Sequence, residues 1–204
     1  MAAGLSLCLA RSAHAQLLSR SAQPASALNV PEIPRFSVPT AHAFALMTSM
    51  RLAEAYLWPE PFSRTNPLVI GNHYREAYTR APKWNPRARA FEWDGDAWYI
   101  NAGGHALFGS ELYLRARSCG NPIWVALGFA TLASTTWEYG FEASGVRPSA
   151  LDLWYTPLSG VILGEGRYWA HRLAGRIDNA AIRGILRALF DPFGDLERAL
   201  GARC

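Results

Sequence analysis

Apolar positions recur at helical spacing along most of this chain, and the runs they form set its expected layout. The first run carries Phe44, Met47, Met50, Leu52 and Tyr56. Thr40 is placed to cap it and Trp58-Pro59 to end it, with Arg51 and Glu54 expected in solvent. From residue 59 to residue 100, Pro59, Pro61, Pro67, Pro82 and Pro86 interrupt any long element, while Tyr74, Tyr78, Trp84, Phe91, Trp93 and Trp98 supply large anchors. A short helix near Asn72–Tyr78 and irregular structure elsewhere follow from that mixture. A second long helix is predicted from Asn101 to Arg117. A third, from Ile123 to Trp137, is uncharged and apolar on every side. At about 1.5 Å of rise per residue it covers roughly 22 Å, short of the roughly 30 Å of a bilayer core. It therefore reads as a buried helix or a partial membrane insertion.

Further on, Ser149 can cap a short helical turn in which Asp152 stands third, and Thr156-Pro157 opens the next helix. Gly160 and Gly164 lie on one face of that helix, as Gly109 does on the second, and such glycines let neighbouring helices approach closely. Ile177, Ala181, Ile182, Ile185, Leu186, Leu189 and Phe190 form the apolar side of a last helix that ends at Asp191-Pro192 and is expected to cover the core. The sum is an all-α bundle of five or six helices. In it Ile123–Glu142 and Thr156–Leu173 pair tightly and pack against Asn101–Arg117.

Composition adds organisation. The N-terminal Ala2–Ala10 run, followed by Ala13-His14-Ala15, has the small-x-small form of an export signal over residues 1–15. A Ser/Ala/Pro-rich linker over 16–39 then leads to one helical domain over 40–204. Export places the chain in the periplasm or cell envelope, where no nucleotide pool is at hand. Consistently, there is neither a phosphate loop nor a dinucleotide fingerprint, and no cofactor is assigned. The net charge of +4 is spread along the chain without a basic block, so nucleic acid is not an expected partner. Membrane lipid or another envelope protein is. Cys119 and Cys204, left after cleavage, can pair, but nothing in their spacing requires it.

The unusual chemistry lies between Trp137 and Glu165, where Glu138, Glu142, Asp152 and Glu165 sit in or against very apolar sequence. A buried charge without a partner costs several kcal/mol, so these carboxylates need company. Asn101 and His105, one helical turn apart, point the same way. Two arrangements compete. In the favoured one, a structural polar network links Asn101, His105, Arg117, Glu138, Tyr139, Glu142, Ser149, Asp152 and Glu165, with Arg115, Arg117 or Arg147 neutralising Glu138 and Glu142. In the other, His105, Glu138, Glu142, Asp152 and Glu165 are catalytic, and Ser110 or Ser149 can serve as nucleophile. Asn101, His105, Glu138, Glu142, Asp152 and Glu165, if they converge, would also suit a hard or borderline divalent ion, but neither Glu-x-x-His nor His-Glu-x-x-His occurs, so no metal site is assigned.

The ordered set Asn101, His105, Gly109-Ser110, Tyr113, Ala116-Arg117-Ser118, Gly120, Trp137-Glu138-Tyr139, Glu142, Pro148-Ser149, Asp152-Leu153, Thr156-Pro157, Gly160 and Gly164-Glu165 resembles an uncharacterised bacterial family of exported proteins, domain of unknown function 3943. The similarity runs over about residues 93–201. Ala106 stands where the family usually has Pro, and Ser159 where it often has Gly. The resemblance implies a mostly helical envelope protein with no activity to inherit. The expected function is a membrane- or lipid-associated envelope protein with a structural carboxylate/His cluster. The alternative is a hydrolase, metal-dependent or not, acting on lipid or envelope polymer through that cluster.

Overall fold

The computed structural model describes residues 35–202 and 204. The expected leader over 1–15, and the linker as far as residue 34, lie outside them. Among the described residues there are eight α-helices and no strand, an all-α fold with slightly more helices than the pattern predicts. They are α1 (Ser37–Leu57), α2 (Pro59–Phe62), α3 (Pro67–Thr79), α4 (His105–Ser118), α5 (Ile123–Thr136), α6 (Ala150–Ala174), α7 (Ala180–Phe190) and α8 (Pro192–Ala199). A π-helical turn, Ile100–Gly104, leads into α4, and another, Trp137–Phe141, extends α5 into a 3-10 turn at Glu142–Ser144.

Pro59, Pro67 and Pro192 each start a helix, although α7 does end at Phe190, before Asp191-Pro192, as expected. Asn66 Oδ1 accepts the Leu68 N–H at 3.0 Å and Asp191 Oδ1 accepts the Gly194 N–H at 2.9 Å, so each Asx-Pro pair is a cap followed by a residue that needs no donor. Pro157 is the converse case. It lies inside α6, which runs unbroken from the Ser149 cap, so Thr156-Pro157 opens no new helix.

The centre of the fold is α4 lying on α6. A Cβ added to Gly109 would stand 2.0 Å from the Thr156 carbonyl oxygen, and one on Gly160 would stand 2.7 Å from the Gly109 carbonyl. Only backbone fits there, and the tight pairing expected between the third helix and the Gly160 helix is made by α4 instead. α5 packs on both through Ala126, Ala130 and Ala133, small residues along one face. Ala43 and Met47 of α1 and Phe108, Leu112, Tyr113, Ala116 and Trp137 complete the core.

The proline-rich loop is pinned to the start of α6, where the Lys83 N–H donates to the Pro148 carbonyl and the Ala150 N–H to that of Lys83. Cys119 and Cys204 are joined in a disulfide. α7 does not cover the core as expected, because Ile182, Ile185 and Leu189 stay 49–68% exposed. α1 begins at Ser37 rather than at a Thr40 cap. Its Arg51 and Glu54 face inward: Arg51 donates to Ser144 Oγ and the Phe62 carbonyl, while Glu54 lines a cleft.

Candidate functional site

The N-terminus of α6 organises the site. Ser149 Oγ accepts the Asp152 N–H at 3.2 Å, as an N-cap does, and donates to Asp94 Oδ2 at 2.6 Å. The Ser149 N–H donates to Glu138 Oε2 at 2.8 Å, carried there by the π-helical turn after α5. Asp94 Oδ1 accepts from Asn101 Nδ2 at 2.7 Å and from the Asp96 N–H at 3.1 Å. Asn101 also donates to the Phe91 carbonyl at 2.8 Å, holding a residue whose φ of 63° a non-glycine rarely adopts. His105 Nδ1 lies 3.0 Å from Thr156 Oγ1 and 3.4 Å from Asp152 Oδ1. Single π-helical turns recur at functional sites, and here two of them flank one cluster.

The cluster is dry and lacks counter-charge. Glu138 and Asp152 are 0% and 1% exposed, and Glu138 Oε1 and Asp152 Oδ1 receive no hydrogen bond from the protein. A ring nitrogen of His105 and one oxygen each of Glu138 and Asp152 lie within 4.8 Å of one another, a spacing at which, among the described residues, these three could hold a metal ion. His105 of this trio also lines a cleft of about 480 Å³ whose walls include Glu54, Asp96, Trp137 and Glu142 but neither Glu138 nor Asp152.

Burial dominates the titration of these groups. It raises Glu138 to about 8 and Asp152 to about 9, with neighbouring carboxylates adding to the rise, and it raises Glu54 to about 7. Glu142 is pushed well above the carboxylate range, first by burial and then by Glu138 and Glu54. The same desolvation lowers His105 to about 4, so its ring is neutral at pH 7. Asp94 is the exception. Burial works to raise it, but hydrogen bonds from Ser149, the Asp96 N–H and Asn101 outweigh that and hold it below its usual value.

A second buried acidic cluster shows how this fold treats carboxylates meant only for structure. Arg115, 2% exposed, donates to Glu111 at 2.8 Å and to Asp191 at 2.6 Å and lies 3.2 Å from Glu197. Arg167 adds a bond to Glu111 at 2.7 Å, and His42 meets Glu197 at 2.5 Å. Every acid in this cluster has a cationic partner. Among the described residues, no arginine or lysine forms an ion pair with Glu54, Asp94, Asp96, Glu138, Glu142 or Asp152. Arg51 and Lys83 act on Glu54 and Asp96 only from a distance.

The residues singled out in the sequence therefore divide. Asn101, His105, Glu138, Glu142, Ser149 and Asp152 come together. Glu165 does not: it accepts from Tyr113, Arg117 and Trp169 on the flank of α6. Arg117 is occupied there, and Arg115 by the second cluster, so neither neutralises Glu138 or Glu142, and Arg147 forms no such pair either. Tyr139 packs against Tyr78 instead. Ser110 donates to the Leu107 carbonyl and accepts from Arg167, away from His105, while Ser149 is spent on the cap and on Asp94, so no Ser–His pair forms. Three participants escape the sequence reading. Asp94 and Asp96 flank Gly95 in a turn whose Asp-Gly-Asp spacing is the only local signal, and Glu54 looks like any polar position on an amphipathic helix.

An all-α domain with an uncompensated acidic cleft is thus the class of protein at hand. The chain belongs to the family described as domain of unknown function (DUF3943), whose model matches residues 90–193. That match takes in every member of the cluster except Glu54. No match was found among curated proteins or among solved structures.

Proposed function

We propose that this chain is an exported cell-envelope hydrolase acting on a lipid or envelope polymer at a membrane surface, with the acid-lined cleft as its active site. One observation carries the reading: buried acids and a neutral imidazole face a cleft of substrate size without a cationic partner, in a fold that pairs its other buried acids with arginine. Counter-charge is what separates the two clusters: both leave some buried polar atoms without a hydrogen bond, but only the Arg115 cluster neutralises its acids.

In this reading Glu142 and Glu54, both on the cleft wall, divide the proton work. The protonated Glu142 donates to the leaving oxygen, and Glu54, which titrates near 7, takes the proton of the attacking water. Water adds across the cleaved bond and no cofactor is consumed. His105 and Asp96 orient the scissile group.

Two features support the location. The Cys119–Cys204 disulfide suits an oxidising compartment. Trp154, Leu158, Ile162 and Trp169 on α6, with Ile185 and Leu189 on α7, leave a broad apolar surface of the kind that meets lipid or a partner. Among the described residues no helix is long and apolar enough to cross a membrane.

Incubating the purified chain with whole envelope extract and following lipid and polymer fragments by mass spectrometry tests the proposal. New fragments should appear with the wild type and be lost in Glu142→Gln, at unchanged circular dichroism. An extract left intact by the wild type, or cut equally well by Glu142→Gln, refutes it.

A further inference from the structure

Glu138 and Asp152 each carry a fully buried oxygen that receives no donor from the protein, and one oxygen of each carboxylate shares a small volume, within 4.8 Å, with a ring nitrogen of His105. A buried carboxylate oxygen without a donor is costly, and natural folds supply one, or a bound water or ion, almost without exception. The third wall of that volume is His105, whose Nδ1 is already 3.4 Å from Asp152 Oδ1. Two ligands bonded to one divalent ion at about 2.0–2.2 Å lie roughly 3–4 Å apart, so this pair stands at ligand separation. The remaining separations within the trio, none above 4.8 Å, close by less than about 2 Å, which side-chain rotation supplies.

We propose that His105, Glu138 and Asp152 form a binding site for one divalent transition-metal ion of the zinc or manganese type, buried behind the cleft wall at His105. One imidazole and two carboxylates, with no thiolate, suit such an ion. Calcium and magnesium favour sites built wholly from oxygen. Each ligand comes from a different element: the first turn of α4, the π-helical turn after α5 and the first turn of α6. All three elements are fixed by backbone packing at Gly109 and Gly160 and by the Ser149 cap, so the geometry survives in the free protein. Three protein ligands leave coordination positions open, and His105 lines the cleft, so water or substrate can complete the shell from that side. Asn101 and Asp94 are the positioning residues, holding Ser149 in place without contacting the ion, and Nδ1 of His105 exchanges its contact with Thr156 Oγ1 for the ion when it ligates.

This inference extends the hydrolase reading by giving its cleft a Lewis acid, yet metal binding is measured apart from turnover. The full chain, stripped with chelator and dialysed, is titrated with zinc, manganese, magnesium and calcium chloride by calorimetry. X-ray absorption at the zinc edge then reports the ligands. The expected result is one zinc or manganese per chain, bound at least about 100-fold more tightly than magnesium or calcium, with one imidazole in the shell. Glu138→Gln and Asp152→Asn should each weaken zinc at least about 100-fold, whereas Glu165→Gln, a carboxylate outside the site, binds as the wild type does. Should Asp152→Asn not fold, the absorption spectrum of the wild type decides alone. No stoichiometric binding, as in a site that holds only water, overturns the proposal, as does zinc binding unaltered in Glu138→Gln. Zinc bound without any turnover would keep the site and sink the hydrolase, and turnover without any stoichiometric metal binding would do the reverse.

Discussion

Replacing Glu138 by Gln separates a paired acid from an uncompensated one, because the two accounts predict opposite signs. Glu138 is fully buried, accepts one bond from the Ser149 N–H, and has its other oxygen among carboxylates. Its ionisation is raised from 4.5 to about 8, so in the metal-free protein its contribution to stability is intact below 4.5 and is lost as pH rises through about 8. Holding the ionised form in place of the acid costs on the order of 5 kcal/mol, at about 1.4 kcal/mol for each tenfold change in proton concentration between those two values. Asp152, raised from 3.8 to about 9, loses its contribution over an overlapping window. Against a total stability of roughly 5–15 kcal/mol, the stripped protein should therefore approach unfolding near pH 9. Gln keeps the bond to Ser149, removes the charge and offers an amide to the neighbouring acids. Some of the strain remains on Asp152 and Glu142, so a gain of about 2–4 kcal/mol at pH 9 and a change under about 1 kcal/mol at pH 5 are expected. Urea denaturation of chelated wild type and variant at pH 5, 7 and 9 measures this. A variant less stable than the wild type at pH 9, or a wild type equally stable at pH 5 and pH 9, would show that Glu138 is ionised and paired, and the reasoning would fail.

The other predictions concern the frame around the site. Gly109→Ala drives a methyl into the Thr156 carbonyl, so α4 and α6 must separate by about 1 Å at a cost above about 3 kcal/mol; thermal melts within 1 kcal/mol of wild type would contradict the close crossing. Arg115→Met strips Asp191 and Glu197 of their buried cation and should cost about 3–5 kcal/mol by denaturant titration at pH 7, with the loss shrinking once the acids are protonated at low pH. Cys204→Ser opens a loop spanning 85 residues and should cost about 2–5 kcal/mol in the melting of the oxidised protein, with no effect under reductant.

Much of the frame was legible from spacing. Helical periodicity placed α1, α4 and α5. The glycines marked close approach, and Ser149 followed three residues later by Asp152 announced the cap of α6. Pattern along one helix does not say which neighbour a face will meet, and the misplacements follow from that. Glu165 comes one residue after Gly164, about 100° around the helix, so it leaves the glycine face and meets Tyr113 and Arg117 on the flank. Those partners lie eight and twelve residues beyond His105 on α4, about 12–18 Å along its axis, which puts Glu165 out of reach of the cluster. The choice of Arg115 as counter-ion failed for a similar reason. Its partners Asp191 and Glu197 come from the far C-terminus, and no local signal links them. Glu54 looked like a solvent contact because its helix is amphipathic, and only the packing of α1 beside Glu142 turns it into the cleft.

The account stands on Glu138 and Asp152 being held as acids by burial when no ion is bound. Infrared difference spectra of chelated wild type against Glu138→Gln and Asp152→Asn at pH 7 read this directly. The account predicts protonated-carboxyl C=O bands in the wild type that each substitution removes and that fade on addition of zinc. A wild-type spectrum showing only ionised carboxylate at both positions would contradict it.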